Sequence, residues 1–185
     1  MIPVHPVLAV LYWIALILTL AGTAAVAVLA WRRASAVLVY GATGGLGLAL
    51  LLAWVPIEGA GFAVQALITI LALVVAVAGG GPAAALALGF ASKGSVRDGE
   101  HGGIIRGADE VLRGGTAIGL LERLAVAGTL LAGFPEGLAV IVAVKGVGRF
   151  SELDDSATRE RFIIGSLVSL IWACAATGVA LLARG

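Results

Sequence analysis

The sequence predicts an all-α, polytopic membrane helix bundle of about six transmembrane helices plus a short interfacial amphipathic helix. Three observations lead there. Hydrophobic residues make up 61% of the 185-residue chain and charged residues only 12%, about half the ~25% of an average soluble domain. A soluble fold of this size keeps much of its surface wet and could not hide so much apolar area. Apolar runs recur at the ~20-residue length that crosses a hydrocarbon core, and the basic residues collect between alternate runs.

The first run, His5 to Trp31, carries no charge and is ended by Arg32 and Arg33. It is far longer than the ~7–15-residue core of a signal peptide, and nothing basic precedes it. Ala36 to Pro56 is the second run. The third, Ala60 to Ser92, is interrupted by Gly79, Gly80, Gly81 and Pro82. A single helix through it would be roughly 50 Å long, so the expected span is Ala60 to Ala78, with Pro82 to Ala91 interfacial, re-entrant or a seventh crossing. Lys93 to Gly115 is polar, but Ile104, Ile105, Ala108, Val111 and Leu112 fall on one helical face, the pattern of a helix lying on a membrane surface. Thr116 to Gly133 and Pro135 to Phe150 read as a helical hairpin, with Pro135 in the first turn of its second arm. Ser151 to Arg161 is a charged loop, and Phe162 to Ala183 is the last span. The chain thus divides into a three-span half (1–92), a cytoplasmic loop with the interfacial helix (93–115) and a second three-span half (116–185).

With six spans, Arg32, Arg33, Lys93, Arg97, Arg106, Arg113, Arg149, Arg159 and Arg161 all fall on one side, against Arg184 alone on the other. Basic loops stay in the cytoplasm. Both termini are therefore expected outside the membrane, and loops 93–115 and 151–161 in the cytoplasm. A seventh crossing would weaken this asymmetry.

Charge and cysteine content exclude other classes. The 12 Lys+Arg nearly balance the 11 Asp+Glu, so a nucleic-acid partner held by excess basic charge is not expected. The single Cys174 excludes an internal disulfide framework and a cysteine-based zinc cluster, and within an apolar run it reads as a packing group. Gly41, Gly44 and Gly47 match the spacing of a nucleotide-binding turn. They lie in a run without charge, however, and no alternating strands and amphipathic helices follow. Small residues there read instead as a close-packing face, with Gly41 and Gly45 at G-x-x-x-G spacing.

The charges inside the hairpin are the more informative feature. Glu122 and Arg123 interrupt one arm and Lys145 the other, and each charge near a helix centre costs about 2.5–3.5 kcal/mol on insertion scales. Counting outward from Phe134 brings Glu122, Arg123 and Lys145 to one level, so Glu122 is expected to pair with Lys145, or with Arg149 one turn away. Long cationic side chains can also simply snorkel to the headgroups. Gly165, Ser169 and Ala173 recur at four-residue spacing as a packing seam. Ser166 and Ser169 enter near the depth of the charges, where they complete a polar pocket or bond back to their own helix. Gln65 and Thr69 read as interhelical hydrogen bonds. The loop Arg97–His101, with Asp98, Glu100 and His101, matches no metal-ligand spacing. No metal and no cofactor is expected.

Three pieces of the second half carry a resemblance. They are Gly115-Thr116-Ala117-Ile118-Gly119-Leu120-Leu121-Glu122-Arg123, Lys145-Gly146-Val147-Gly148-Arg149-Phe150-Ser151-Glu152-Leu153, and Phe162-Ile163-Ile164-Gly165-Ser166-Leu167-Val168-Ser169. In this order they resemble an uncharacterised family of small bacterial multi-pass membrane proteins. The resemblance implies that Glu122, Arg123, Lys145, Arg149 and Phe150 form one unit, and it implies no activity.

The expectation is a membrane protein that binds or transports an anionic small molecule or lipid headgroup at the cytoplasmic boundary. Its site would be Glu122, Arg123, Lys145 and Arg149 with Ser166 and Ser169, and its partners membrane lipids or an anionic ligand. An enzyme acting on a lipid phosphate through Asp98, Glu100 or His101 is one alternative, and the reading leans away from it. The other is a structural subunit whose small-residue faces pack on a second copy or a membrane partner.

Overall fold

The structure, a computed structural model, describes residues 5–57, 60–91, 105–106, 109–110, 115–149 and 156–184. Helix α1 spans Pro6–Arg33, α2 Ala36–Ala53, α3 Phe62–Ala91, α4 Gly115–Leu131, α5 Gly137–Gly148 and α6 Ser156–Leu182. The fold is all-α, with six helices among the described residues, as the apolar runs suggested. Four of them (α1, α2, α3 and α6) are long and apolar enough to cross a membrane. The hairpin arms are shorter, with 17 residues in α4 and 12 in α5, so α5 extends only about 18 Å.

Helix α1 starts with Pro6, which suits a first turn whose N–H groups have no helical partner anyway. Arg32 and Arg33 close it, where positive charge complements the helix dipole. The chain then reverses at Ala34, which takes the left-handed conformation (φ 46°) and donates its N–H to the Ala30 carbonyl at 3.0 Å. A Cβ in that conformation costs about 1–2 kcal/mol. Ala34→Gly is therefore expected to raise stability by about 1 kcal/mol, the greater freedom of unfolded glycine offsetting part of the relief. Equilibrium unfolding in mixed detergent checks this, and a loss of stability would contradict it.

Helix α2 runs unbroken through Gly41, Gly44, Gly45 and Gly47, so no nucleotide-binding turn exists there. A Cβ on Gly45 would overlap the Thr23 hydroxyl, and one on Gly41 would lie 3.5 Å from Val26. These glycines let α1 and α2 approach closely.

The break expected at Gly79–Pro82 does not occur. Helix α3 continues for 30 residues with Pro82 inside it. Intrinsic propensity argues for a break, at ~1 kcal/mol per glycine and ~3 for proline, but packing overrides it. The bare backbone of Gly79 and Gly80 is covered by Trp172 and Arg123. Trp172 Nε1 donates to the Val75 carbonyl at 2.8 Å and Arg123 Nε to the Val77 carbonyl at 2.8 Å. Neighbouring side chains thus serve backbone groups in the turns before the proline, as membrane helices require.

The hairpin turn also differs from expectation. Gly133 (φ 72°) follows α4 in a Schellman arrangement, with Phe134 N–H bonded to the Thr129 carbonyl (2.9 Å) and Gly133 N–H to that of Leu130 (3.1 Å). Pro135 therefore lies in the turn, and α5 begins at Gly137. Helix α6 begins at Ser156, so Thr158 to Arg161 are helical where a loop was expected.

In the segment expected to form an interfacial helix, Ile105–Arg106 (β1) pairs antiparallel with Asp109–Glu110 (β2). That expectation is corrected for these four residues, whose backbones pair across a two-stranded ladder instead of closing helical hydrogen bonds. Asp98, Glu100 and His101 lie outside the described residues.

Helix α3 is central, packed against α1, α2, α4 and most extensively α6, while α5 packs on α4. The buried positions are dominated by small residues: Ala24, Ala27 and Ala30 on α1, Ala42 and Ala49 on α2, Ala72 and Ala76 on α3, Ala173, Ala176 and Ala180 on α6. Bulky residues such as Leu18, Leu51, Phe62, Ile70 and Ile171 face outward. Small residues inside and an apolar belt outside are the pattern of a bundle solvated by lipid. This is a membrane protein. Two of its packed pairs, α1 with α2 and α3 with α6, are antiparallel: Tyr12 donates to the Leu52 carbonyl (2.6 Å), and Arg184 at the end of α6 reaches Thr69 Oγ1 near the start of α3 (3.4 Å). Thr69 itself donates to the Gln65 carbonyl at 2.8 Å within its own helix, so of the interhelical bonding expected of this pair its hydroxyl supplies only the acceptor for Arg184.

Candidate functional site

Helices α3, α4, α5 and α6 line an open-sided cavity of about 600 Å³. Glu122, Arg123, Lys145, Arg149, Ser166 and Ser169, the six residues singled out in the sequence, all line it. The hairpin explains why. Its two arms lie antiparallel from a turn in which Gly137 packs tightly against Thr129 and Phe134, so equal counts from the turn reach equal depth.

Glu122 and Lys145 form a salt bridge through Oε2 and Nζ. Both are partly exposed, at 19% and 25%, so the pair faces the cavity rather than a sealed core. Lys145 Nζ also lies over the Phe162 ring, 5.8 Å from its centre, a cation–π distance.

Arg123 also has a structural part beside the charge it lends the cavity. It is only 5% exposed. Its Nε is bonded to the Val77 carbonyl, and its Nη1 donates to Ser169 Oγ at 3.2 Å. Gly80, Gly81 and Gly119 surround it, and a Cβ on Gly80 would lie 2.5 Å from Arg123 Cδ. Arg123 thus ties α4 to α3 and α6 while its guanidinium forms part of the cavity floor. Ser169 accepts this bond instead of serving only its own helix, and Ser166 lines the cavity three residues earlier on α6.

Among the lining residues beyond these six, two bear on the charge: Arg161 and Phe162 both face the cavity, although the charged stretch that holds Arg161 reads as a loop in the sequence. The four-residue seam Gly165–Ser169–Ala173, extended back one turn, lands on Arg161, and that spacing was the available signal. With Arg161 counted, the described lining holds four cationic side chains (Arg123, Lys145, Arg149, Arg161) and one carboxylate, Glu122. Among the described residues no group of His, Cys, Asp and Glu side chains converges as a metal site.

Fold and site together define an integral membrane helix bundle with a positively charged cavity near one end. Comparisons with protein-family models, with curated proteins and with solved structures give no match. The chemistry of the site therefore rests on its own geometry.

Proposed function

We propose that this protein binds or transports an anionic group, carried by a small molecule or a lipid headgroup, in the cavity between α3, α4, α5 and α6. One observation carries the reading: among the described residues, four cationic side chains and one carboxylate line a cavity whose other walls are mostly apolar. Glu122 neutralises one charge through Lys145 and fixes its position. An excess of three formal positive charges among the described residues favours an anion, as in basic pockets between membrane helices that hold headgroups. The basic residues flanking the same helix ends favour a cytoplasmic location in a bacterial inner membrane.

Binding of phosphatidic acid to the purified protein in zwitterionic nanodiscs tests this reading. A charge-assisted hydrogen bond contributes about 1.5–3 kcal/mol, so Lys145→Met and Arg161→Met are each expected to weaken binding roughly tenfold to a hundredfold. Arg32→Gln, outside the cavity, should leave affinity unchanged. Equal losses in all three variants would reduce the effect to general attraction of anions to a basic surface and defeat the proposal.

The Glu122–Lys145 pair invites a separate check of its structural share. Glu122→Gln and Lys145→Met are each expected to destabilise by about 1–2 kcal/mol, with the double variant less destabilised than the sum. Strict additivity in unfolding measurements would mean that the two side chains do not interact.

A further inference from the structure

We infer that the bound anion is the phosphate of a membrane lipid, which enters sideways between α5 and α6 and leaves its acyl chain in an apolar lobe beside the charges. The inference rests on the anion-binding reading above and names its ligand class.

The first ground is the exposure of α5. This helix packs on α4 and makes no more than slight contact with α6 among the described residues. Lys145 over the Phe162 ring is one interaction that reaches across from α5 to α6. A helix held on one side leaves the cavity with a lateral face toward the bilayer.

The second ground is the ordering of polarity. Along α5 the lining runs Val140, Val144, Lys145, Arg149, from the hairpin turn to the charged end of the bundle. Val140 and Val144 are 60% and 67% exposed. Along α6 it runs from Ser169 and Ser166 through Phe162 to Arg161. Cations therefore gather toward one end and apolar walls continue toward the membrane centre, the same order as phosphate and acyl chain in a lipid.

The third ground is a second, smaller space of about 80 Å³ that shares Glu122, Lys145 and Phe162 with the main cavity. It continues past them between Val126, Val142, Leu167 and Leu170. A free phosphate has no use for such a wall, whereas an acyl chain bound to a phosphate at Lys145 would lie along it. The main cavity also has the size of sites that take ligands much larger than one phosphate group.

The test compares four probes on delipidated protein: inorganic phosphate, glycerol 3-phosphate, dioctanoyl phosphatidic acid and dioctanoyl phosphatidylcholine. Dioctanoyl phosphatidic acid is expected to bind at least about tenfold tighter than each of the other three. A phosphatidic acid with a diazirine in its acyl chain should label α5 and α6 near Val142, Leu167 and Leu170, and Lys145→Met should abolish that preference. Glycerol 3-phosphate or inorganic phosphate binding as tightly as the lipid would overturn the lipid inference and leave the anion site standing. Equal binding of the choline lipid, or no binding of any probe, would overturn the anion reading itself. Labelling spread evenly over the outer apolar belt would contradict lateral entry.

Discussion

Arg123→Met is expected to destabilise the protein by about 2–4 kcal/mol and to loosen α4 from α3 and α6. The substitution keeps most of the buried stem but removes the donors to the Val77 carbonyl and to Ser169 Oγ. Hydrogen bonds from a charged donor contribute about 1.5–3 kcal/mol each, and the desolvation of the guanidinium that no longer has to be met offsets part of the loss. Arg123→Lys should not restore stability, because a compact ammonium lacks the planar fork that bonds two acceptors on two helices at once. Unfolding in mixed detergent gives the stability change, and hydrogen exchange of the α4 amides gives its location. A change under about 0.5 kcal/mol, the size of an ordinary surface effect, would show that the three helices do not depend on Arg123.

Gly79→Ala is expected to cost about 2–3 kcal/mol, within the usual range for overpacking a close-packed core. The added methyl would fall inside the Trp172 indole, which lies against α3 at the most extensive helix interface. The strain has a specific remedy. Trp172→Phe removes the atoms that collide, so it should recover more than half of the loss in the Gly79→Ala background. Alone it should destabilise by about 1 kcal/mol, because the Nε1 bond to the Val75 carbonyl is lost. If the two substitutions are additive instead, the indole does not occupy the space above Gly79.

These two sites mark where sequence reasoning reached and where it stopped. The level of Glu122 and Lys145 was legible because a hairpin converts counting along the chain into depth, and few partners for a charge exist inside an apolar run. Gly41 and Gly45 were legible as a packing face because their surroundings lacked charge. The continuity of α3 was not. Three glycines and a proline in a row read locally as a break, and the side chains that cover that backbone, Trp172 and Arg123, lie 93 and 44 positions away by numbering. The role of Arg123 was lost for the same reason, since nothing near it in the chain announces the Val77 carbonyl. Arg161 was missed because a charged stretch between two apolar runs reads as a loop, although its spacing to Gly165 and Ser169 continues the seam.

The division of labour among the cations follows from this geometry. Arg123 is spent on the scaffold, Lys145 is held by Glu122 and Phe162, and Arg149 and Arg161 stand toward the chain ends of α5 and α6. The protein thus holds positive charge within an apolar bundle by fixing some cations to backbone and carboxylate while others face a cavity. Residues that merely snorkel would have no reason to surround a common space.

The most direct test of the central claim, that this cavity receives an anionic group, is a cryo-electron microscopy or crystal structure in a bilayer containing phosphatidic acid. The predicted result is density for a phosphate within hydrogen-bonding distance of Lys145, Arg149 or Arg161, with α5 standing off α6. A cavity closed by α5 packed directly against α6, with the cations turned outward to solvent and no density between the helices, would contradict it.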